Sequence, residues 1–333
     1  MKKAVITIIA MVLVISCSAC GSAGGAESSA SASGSSMPQS GAGGGNRGGG
    51  SVDKSGDTQL QDMIANVAPK FILNTFEDTE TKASLKYWLF TPENYDSSKR
   101  YPLLQFIPDS SVVGKDDSSF LTQGWGGLIW AAKEEQDKHP CIVVVPVFTE
   151  TVVDDSFNHS AQIDTAMNLL KHLTKEYSID ESRIYTTGQS MGGMTSFYLN
   201  IAYPDFFAAS MFVGSQWDNS KLNVLEKKKF FYIVSAGDPK ASAGQSELLE
   251  VFKKDKAAYS HAQWSAKDEA SAQDKAVKEL LSQGNSANFV TFTAGTTLAD
   301  GQSAMPGAGE HMTSFDYAYK ITAVRDWLFE QTE

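Results

Sequence analysis

Seven short, mostly apolar runs recur along the chain, and stretches of helical periodicity separate several of them. The runs at 102–107 and 141–145 are apolar at nearly every position, so they lack the alternation of a strand with one face in water. Strands that are apolar on both faces belong to parallel sheets with helices on both sides. The runs are Lys86–Phe90, Pro102–Ile107, Cys141–Val145, Ile184–Thr187, Ala209–Val213, Phe230–Val234 and Asn288–Phe292. The sequence therefore predicts an α/β fold with a mostly parallel central sheet.

Helices are predicted over Ala161–Tyr177, Met191–Tyr203 and Phe315–Gln331. The residues from 58 to 333 provide about 275 positions, which is within the range of a single α/β domain. In sheets of this kind the functional groups gather at the carboxyl ends of the strands. Site residues are therefore expected directly after the apolar runs.

The first 16 residues combine a basic start with an apolar run of about 13 residues, which is too short to span a bilayer. This pattern predicts a secretory signal peptide. The sequence after it resembles the lipobox of bacterial lipoproteins, which implies lipid attachment at Cys17, with Cys20 as the alternative. An ordinary cleaved signal that leaves a soluble protein is the other interpretation.

Residues 17–57 are rich in Gly, Ser and Ala. Such a composition buries too little apolar surface to offset the entropy of ordering the chain. We therefore expect a flexible tether, with a catalytic domain at 58–333 held outside the cytoplasm on a lipid-anchored protein.

The formal net charge of the chain is −11. An acidic surface repels phosphate backbones and anionic lipid headgroups, so nucleic acid is not expected as a partner. Contact with the membrane is expected through the lipid anchor only. Neither a metal site nor a cofactor is expected, because ligand-type side chains do not cluster in the sequence and a phosphate-cradling loop is missing.

The segment Gly188-Gln189-Ser190-Met191-Gly192 follows the strand Ile184–Thr187 and leads into a predicted helix. In that context G-x-S-x-G forms a sharp turn that presents the serine hydroxyl at the sheet edge, and glycines are needed because the backbone segments come close. The helix start directs the N–H of Met191 at developing negative charge. Ser190 is the candidate nucleophile; a glycine-rich turn with an incidental serine is the alternative.

Two segments carry a resemblance to a known family. Ser182–Gly193 and Tyr203–Ala209 are similar to bacterial secreted esterases of the α/β-hydrolase superfamily, close to the polyhydroxybutyrate depolymerase and feruloyl esterase group. They also resemble predicted peptidases of the prolyl oligopeptidase superfamily. The resemblance extends from about Tyr87 to Trp327 and implies an α/β-hydrolase fold and acyl-transfer chemistry more firmly than a substrate.

In this fold the order along the chain is nucleophile, acid, histidine. His311 follows the last predicted strand and precedes the terminal helix, which is where the resemblance implies the base. Asp238 follows the strand Phe230–Val234 and is the candidate acid, with Asp218 as its rival. Glu310 is too close in sequence to His311 to orient its ring.

The second oxyanion donor is expected after the strand Pro102–Ile107. Pro108 has no N–H, so the amide of Asp109 or Ser110 is expected to serve beside that of Met191. The Asp109 carboxylate is instead expected to order this loop through hydrogen bonds to N–H groups.

Two further features lie near the expected site. Trp217 follows a strand and is a candidate for stacking on a substrate ring, or else a core residue. Residues 240–287 form a partly helical insertion, interpreted as a surface extension rather than a lid.

Together these features predict an extracellular serine hydrolase that cleaves carboxylic esters through an acyl-enzyme. The resemblance makes acetyl or feruloyl esters of polysaccharides candidate substrates. A peptidase of the prolyl oligopeptidase superfamily is the alternative enzyme. A non-catalytic surface-binding lipoprotein is the alternative of another class.

Overall fold

The computed structural model describes residues 52–306 and 308–333 of the chain. Cys17, Cys20 and most of the expected tether lie outside these residues. In the described part, a helix with the length and apolarity needed to cross a bilayer is not found.

Nine strands form one sheet in the order β1-β2-β4-β3-β5-β6-β7-β9-β8. Strands β1 and β2 run antiparallel to their neighbours, and all other pairs are parallel. The strands are β1 Ile72–Glu77, β2 Ser84–Phe90, β3 Tyr101–Ile107, β4 Ile142–Val147, β5 Ile179–Gln189, β6 Ala209–Val213, β7 Phe230–Ser235, β8 Ser260–Trp264 and β9 Ala287–Phe292. This is the mostly parallel sheet that the sequence predicts.

The central strands are buried along their whole length. Every residue of β3, β4, β6 and β7 is buried, which requires cover on both faces of the sheet. The apolar runs therefore report two-sided burial, as the parallel pairing requires. The register aligns the ends of the strands, with Ile107 opposite Gly188 and Gln189 opposite Val213.

Ten α-helices occur among the described residues. They are α1 Thr58–Asn66, α2 Ser119–Thr122, α3 Trp125–Leu128, α4 Lys133–Lys138, α5 Gln162–Glu176, α6 Met191–Ala202, α7 Pro239–Asp255, α8 Ala270–Leu281, α9 His311–Lys320 and α10 Thr322–Glu330. The helices expected around residues 161–177 and 191–203 correspond to α5 and α6.

The outer strands β1 and β8 were not among the predicted strands. Strand β1 is only partly buried, and Ile72 is 66% exposed. A strand at this position does not need a continuous apolar run, and the sequence of β1 has none. Strand β8 lies within residues 240–287 and pairs parallel with β9. That insertion therefore extends the sheet by one strand, between helices α7 and α8.

The expected C-terminal helix is two helices, because the chain is extended at Ile321. Side chains provide hydrogen-bond partners for backbone groups at both of the new helix ends. Arg325 donates to the carbonyl of Tyr319 at the end of α9, and Asp274 accepts from Ala323 N at 2.9 Å at the start of α10. Such capping offsets the loss of helical hydrogen bonds at the break.

Arg325 and Glu135 form a buried ion pair with an Nε–Oε2 distance of 2.7 Å and side chains 8% and 3% exposed. Arg325→Met leaves the Glu135 carboxylate buried without its cation, so we expect the free energy of unfolding to fall by about 3–5 kcal/mol. Urea titration followed by tryptophan fluorescence measures this loss. The control is Lys133→Met, which breaks a pair whose side chains are 79% and 62% exposed and is expected to cost at most about 1 kcal/mol. Equal stability of the two variants would contradict the prediction.

Candidate active site

Ser190 occupies the turn between β5 and α6 with φ at +51°, a conformation that non-glycine residues rarely adopt. A Cβ at Gly188 would overlap the backbone of Gly192. A Cβ at Gly192 would overlap the carbonyl of Ile107 at the end of β3. Both glycines are therefore required for the close contact that fixes this turn.

Ser190, His311 and Asp238 come together at the carboxyl edge of the sheet. The Ser190 Oγ lies 2.7 Å from His311 Nε2, and His311 Nδ1 lies 2.5 Å from Asp238 Oδ2. His311 is the first residue of α9 and is partly exposed, whereas Asp238 is 1% exposed. The rival Asp218 caps a different segment, where its carboxylate accepts from Ser220 N.

Helix α7 holds the Asp238 carboxylate in place. Its Oδ1 accepts from the N–H groups of Lys240 at 3.2 Å and Ala241 at 3.1 Å, so the aspartate is the N-cap of this helix. The cap uses only Oδ1, so Oδ2 accepts the hydrogen bond from the imidazole. An Nδ1–H donated to Asp238 makes Nε2 an acceptor for the serine hydroxyl, which is the arrangement that activation of a serine nucleophile requires.

The other four histidines lie in unrelated contacts. They pair or stack with Asp326 (His139), Tyr198 (His159), Phe76 (His172) and Thr291 (His261). Of the five histidines, His311 is thus the one within hydrogen-bond distance of Ser190.

The loop after β3 lies against the start of α6. A Cβ at Gly192 would come within 2.8 Å of the carbonyl oxygen of Pro108. Among the described residues, the N–H groups of Met191, Asp109 and Ser110 donate to no backbone acceptor. The amide of Met191 and that of Asp109 or Ser110 therefore remain the candidate donors to a substrate oxygen.

The Asp109 carboxylate is 2% exposed and is held by three donors. Its Oδ1 accepts from Ser111 N at 2.8 Å, and its Oδ2 accepts from Gln189 Nε2 at 3.1 Å and from Gln123 Nε2. The carboxylate thus joins the loop after β3 to the residue before Ser190. Sequence reasoning foresaw the bond to the loop amide but missed both glutamines, since glutamine carries no motif of its own.

Trp217 is 3% exposed, and its ring packs against Phe157 and Tyr198 at centroid distances of 5.3 and 6.1 Å. Little of the indole surface is open to a stacking ligand in this structure. The side chain contributes to the packing behind the site.

Glu310, the residue before His311, has a buried carboxylate that faces away from the imidazole. It accepts from Ser235 Oγ at 2.8 Å, from Thr297 Oγ1 at 2.7 Å and from Gly295 N. Desolvation by burial acts to raise the pKa of Glu310, but the hydrogen bonds from Thr297, Gly295 and Ser235 outweigh it and lower that pKa below its ordinary value.

These bonds fix the turn that carries His311. The N–H of Glu310 donates to the carbonyl of Gly237 at 3.0 Å, one residue before Asp238. Glu310 therefore ties the turn that carries His311 to the loop that carries Asp238. This role of Glu310 has no local sequence signal, because Ser235, Gly295 and Thr297 lie 13 to 75 positions away along the chain.

A second group of ionisable side chains lies away from this edge. Ligand atoms of Glu135, His139 and Asp326 lie within 4.8 Å of one another. Arg325 already neutralises Glu135, and His139 Nε2 lies 2.9 Å from Asp326 Oδ1. The charges of the group are therefore paired within the protein, whereas the buried Oε1 of Glu135 has no hydrogen-bond partner among the described residues.

The sheet order and the serine on its strand–helix turn define the α/β-hydrolase class. The family model Esterase, described as "Putative esterase", matches residues 79–327. The chain belongs to this family, and the match supports an esterase activity. A comparison with curated proteins found no match.

Several solved structures share the fold. A thermostable esterase is 24% identical with a TM-score of 0.63, and the match covers 80% of this chain and 64% of that chain. The feruloyl esterase module from Clostridium thermocellum, complexed with sinapinate, is 15% identical with a TM-score of 0.51, covering 80% and 91%. A ferulic acid esterase is 12% identical with a TM-score of 0.52, covering 78% and 98%. At these identities the likeness is one of fold.

Glu310→Gln places an NH₂ group among three donors and loosens the turn that carries His311. We expect kcat/KM for p-nitrophenyl acetate to fall by about 10- to 100-fold, because small displacements of a catalytic group are costly. Steady-state kinetics measure the loss. Glu279→Gln, at a side chain 70% exposed, is the control and should leave kcat/KM unchanged. Unaltered activity in Glu310→Gln would rule out the positioning role.

The lowered pKa of Glu310 also predicts a pH dependence of stability. The carboxylate stabilises the fold above its unfolded pKa of about 4.3, and this contribution disappears as pH falls through the lower folded pKa. The difference in unfolding free energy between the wild type and Glu310→Gln should therefore be largest at neutral pH and shrink in acid. Urea titrations across this range measure it.

Proposed function

We propose that the protein is a serine hydrolase that cleaves carboxylic esters through an acyl-enzyme, acting outside the cytoplasm. The observation that carries this proposal is the continuous hydrogen-bonded series from Ser190 Oγ through His311 to Asp238. Membership of the Esterase family supports the choice of ester as the bond cleaved.

The proposed reaction begins when Ser190 Oγ attacks the ester carbonyl and its proton passes to His311 Nε2. The carbonyl oxygen becomes an oxyanion that the N–H of Met191 and the N–H of Ser110 or Asp109 stabilise. The C–O bond of the ester then breaks, and His311 gives its proton to the leaving alcohol.

A water molecule next attacks the acyl-enzyme, losing its proton to His311. The acyl–Ser190 bond breaks, the carboxylic acid leaves and the proton returns to Ser190 Oγ. Throughout, the Asp238 carboxylate holds the imidazole and stabilises its cationic form. Helix α7 keeps this carboxylate oriented through the cap amides of Lys240 and Ala241.

We further propose acetyl or feruloyl esters of polysaccharides as the substrate class. Two structural neighbours with the same fold are described as feruloyl or ferulic acid esterases. A site that is open at the sheet edge, with Ser190 and His311 both partly exposed, suits an ester attached to a polymer.

Ser190→Ala removes the nucleophile, so we expect ester hydrolysis to fall by at least about 10⁴-fold. The test compares p-nitrophenyl acetate, a feruloyl ester and aminoacyl p-nitroanilides, together with labelling by a fluorophosphonate probe. Wild type and Ser246→Ala, which changes a serine on the exposed side of α7, should hydrolyse esters and be labelled. Turnover of the anilides alone would favour a peptidase. Absence of labelling in the wild type would favour a non-catalytic binding protein.

We propose that the chain is anchored to the membrane by a lipid on Cys17. The basic start, the short apolar run and the cysteine after it support this. In a bacterial host that processes lipoproteins, Cys17→Ala should abolish incorporation of labelled palmitate, whereas Cys20→Ala should retain it. Label in Cys17→Ala but not in Cys20→Ala would place the lipid on Cys20. Absence of label from the wild type would indicate an ordinary signal peptide that is cleaved without lipid attachment.

A further inference from the structure

The Asp109 carboxylate is buried although every donor around it is neutral. It is 2% exposed, and its partners among the described residues are the backbone N–H of Ser111 and the side-chain amides of Gln123 and Gln189. Burying a charged group is costly unless donors surround it. These three donors therefore allow the carboxylate to remain in the loop after β3.

The two glutamines also bond to each other, so the three side chains close a ring. Gln189 Nε2 lies 3.1 Å from both Asp109 Oδ2 and Gln123 Oε1, and Gln123 Nε2 donates to Asp109 Oδ2 as well. Gln123 Nε2 further donates to Ser111 Oγ at 2.7 Å. We call Asp109, Gln123 and Gln189 the amide ring. It joins the loop after β3, the segment before α3 and the last residue of β5.

The amide ring lies between the nucleophile and the loop that carries the second candidate oxyanion donor. Gln189 directly precedes Ser190, while the N–H groups of Asp109 and Ser110 flank the Cα that bears the carboxylate. Ser190 is itself fixed, because its N–H donates to Val213 O at 3.0 Å in the neighbouring strand. The ring therefore ties the loop amides to a backbone that the sheet holds in place.

Backbone contact and the amide ring limit the position of this loop from opposite sides. A Cβ at Gly192 would overlap the carbonyl of Ile107, so the end of β3 already packs against the backbone of α6. The ring opposes movement in the other direction, because a wider gap would break the bond between Asp109 and Gln189.

The charge of Asp109 by itself works against the proposed reaction. A negative group in the same loop as an oxyanion donor repels the charge that develops on the substrate oxygen. The carboxylate therefore aids the reaction only through the hydrogen bonds that it accepts. Substitution separates the two effects, since loss of the charge alone should speed the reaction and loss of the bonds should slow it.

We propose that Asp109, Gln123 and Gln189 are positioning residues for the oxyanion site, a role that rests on the esterase function proposed above. The amide ring holds the N–H of Asp109 or Ser110 at the separation from the N–H of Met191 at which both reach one substrate oxygen. Because that oxygen becomes negative only after the serine attacks, the ring acts on the transition state and not on the bound ester.

Asp109→Ala removes all three bonds to the carboxylate. We expect kcat for p-nitrophenyl acetate to fall by about 10- to 100-fold, with KM changed by at most about twofold, since displacing an oxyanion donor costs less than removing it. Gln123→Met removes one amide of the ring at a partly exposed side chain and should lower kcat by about 3- to 10-fold. This second variant tests the ring even if Asp109→Ala does not fold.

Asp109→Asn removes the charge and keeps the ring. Its side-chain oxygen still accepts from Ser111 N, and rotation of both glutamine amides presents their oxygens to its NH₂ group. We therefore expect kcat within about threefold of the wild type, which is a rescue relative to Asp109→Ala.

The inhibitor trifluoroacetophenone provides a readout that a general loss of structure does not change. Ser190 Oγ bonds to the ketone carbon, its proton passes to His311, and the carbonyl oxygen becomes the anion that the site must hold. The inhibition constant Ki is independent of the fraction of folded enzyme. Across the variants Ki should therefore rise by the factor by which kcat/KM falls. Steady-state kinetics of p-nitrophenyl acetate with and without the ketone measure both.

Asp78→Ala is the matched control. Asp78 is 5% exposed and also accepts three hydrogen bonds, from Glu80 N at 2.9 Å, Thr81 Oγ1 at 2.7 Å and Asn168 Nδ2 at 2.9 Å. It lies in the turn between β1 and β2, at the outer edge of the sheet. Its loss should lower the urea midpoint by an amount similar to that of Asp109→Ala, while leaving kcat and Ki unchanged.

Wild-type kcat and Ki in both Asp109→Ala and Gln123→Met would refute the positioning role, and so would a fall in kcat without a rise in Ki. A higher kcat in Asp109→Asn than in the wild type would also refute it, because the carboxylate would then act through its charge. A wild type that hydrolyses no ester would instead overturn the esterase function on which the role depends.

Discussion

The close approach of β5, α6 and the end of β3 is the constraint on which the site depends. Ser190 has a backbone conformation that costs about 1–3 kcal/mol, and it persists because the surroundings leave no alternative. Its N–H donates to Val213 O at 3.0 Å, and its carbonyl accepts from Met194 N at 2.9 Å to begin α6. Two strands and a helix thus fix one residue, and the hydroxyl takes its direction from them.

Two buried carboxylates hold the groups around the imidazole in different ways. Asp238 faces the imidazole and is held by the amides at the start of α7, whereas Glu310 faces the interior and holds the turn before α9. They lie on neighbouring loops that meet at Gly237, where the space beside the backbone is filled by the Glu310 side chain. The same chemical group therefore holds the imidazole in one position and the preceding turn in the other, according to which donors surround it.

The central sheet and the three candidate catalytic side chains could be proposed from sequence because their signals are local. A continuous apolar run indicates a strand that is buried on both faces. A serine flanked by glycines after such a run indicates a sharp turn between strand and helix. Strand β1 is only partly buried and mixes apolar with polar residues, so its sequence lacks the continuous apolar run that marks the central strands. The break at Ile321 depends on Arg325 and Asp274, and the second of these lies 49 positions away from the amide that it caps.

The supporting groups of the site were beyond sequence reasoning for a related reason. Gln123 and Gln189 are 66 positions apart and meet only because the loop before α3 folds back over the start of α6. The contact between Lys54 and Asp316 likewise joins the two ends of the domain. Side chains of common types acquire these roles through tertiary placement, which one sequence by itself does not encode in any local pattern.

The C-terminal position of His311 has a consequence for how the molecule matures. The imidazole meets Ser190 across a separation of 121 residues, and parallel strand pairing is slow because distant segments must find each other first. The imidazole is carried by the first residue of α9, so a chain whose C-terminal helices are not docked holds Ser190 without its histidine partner.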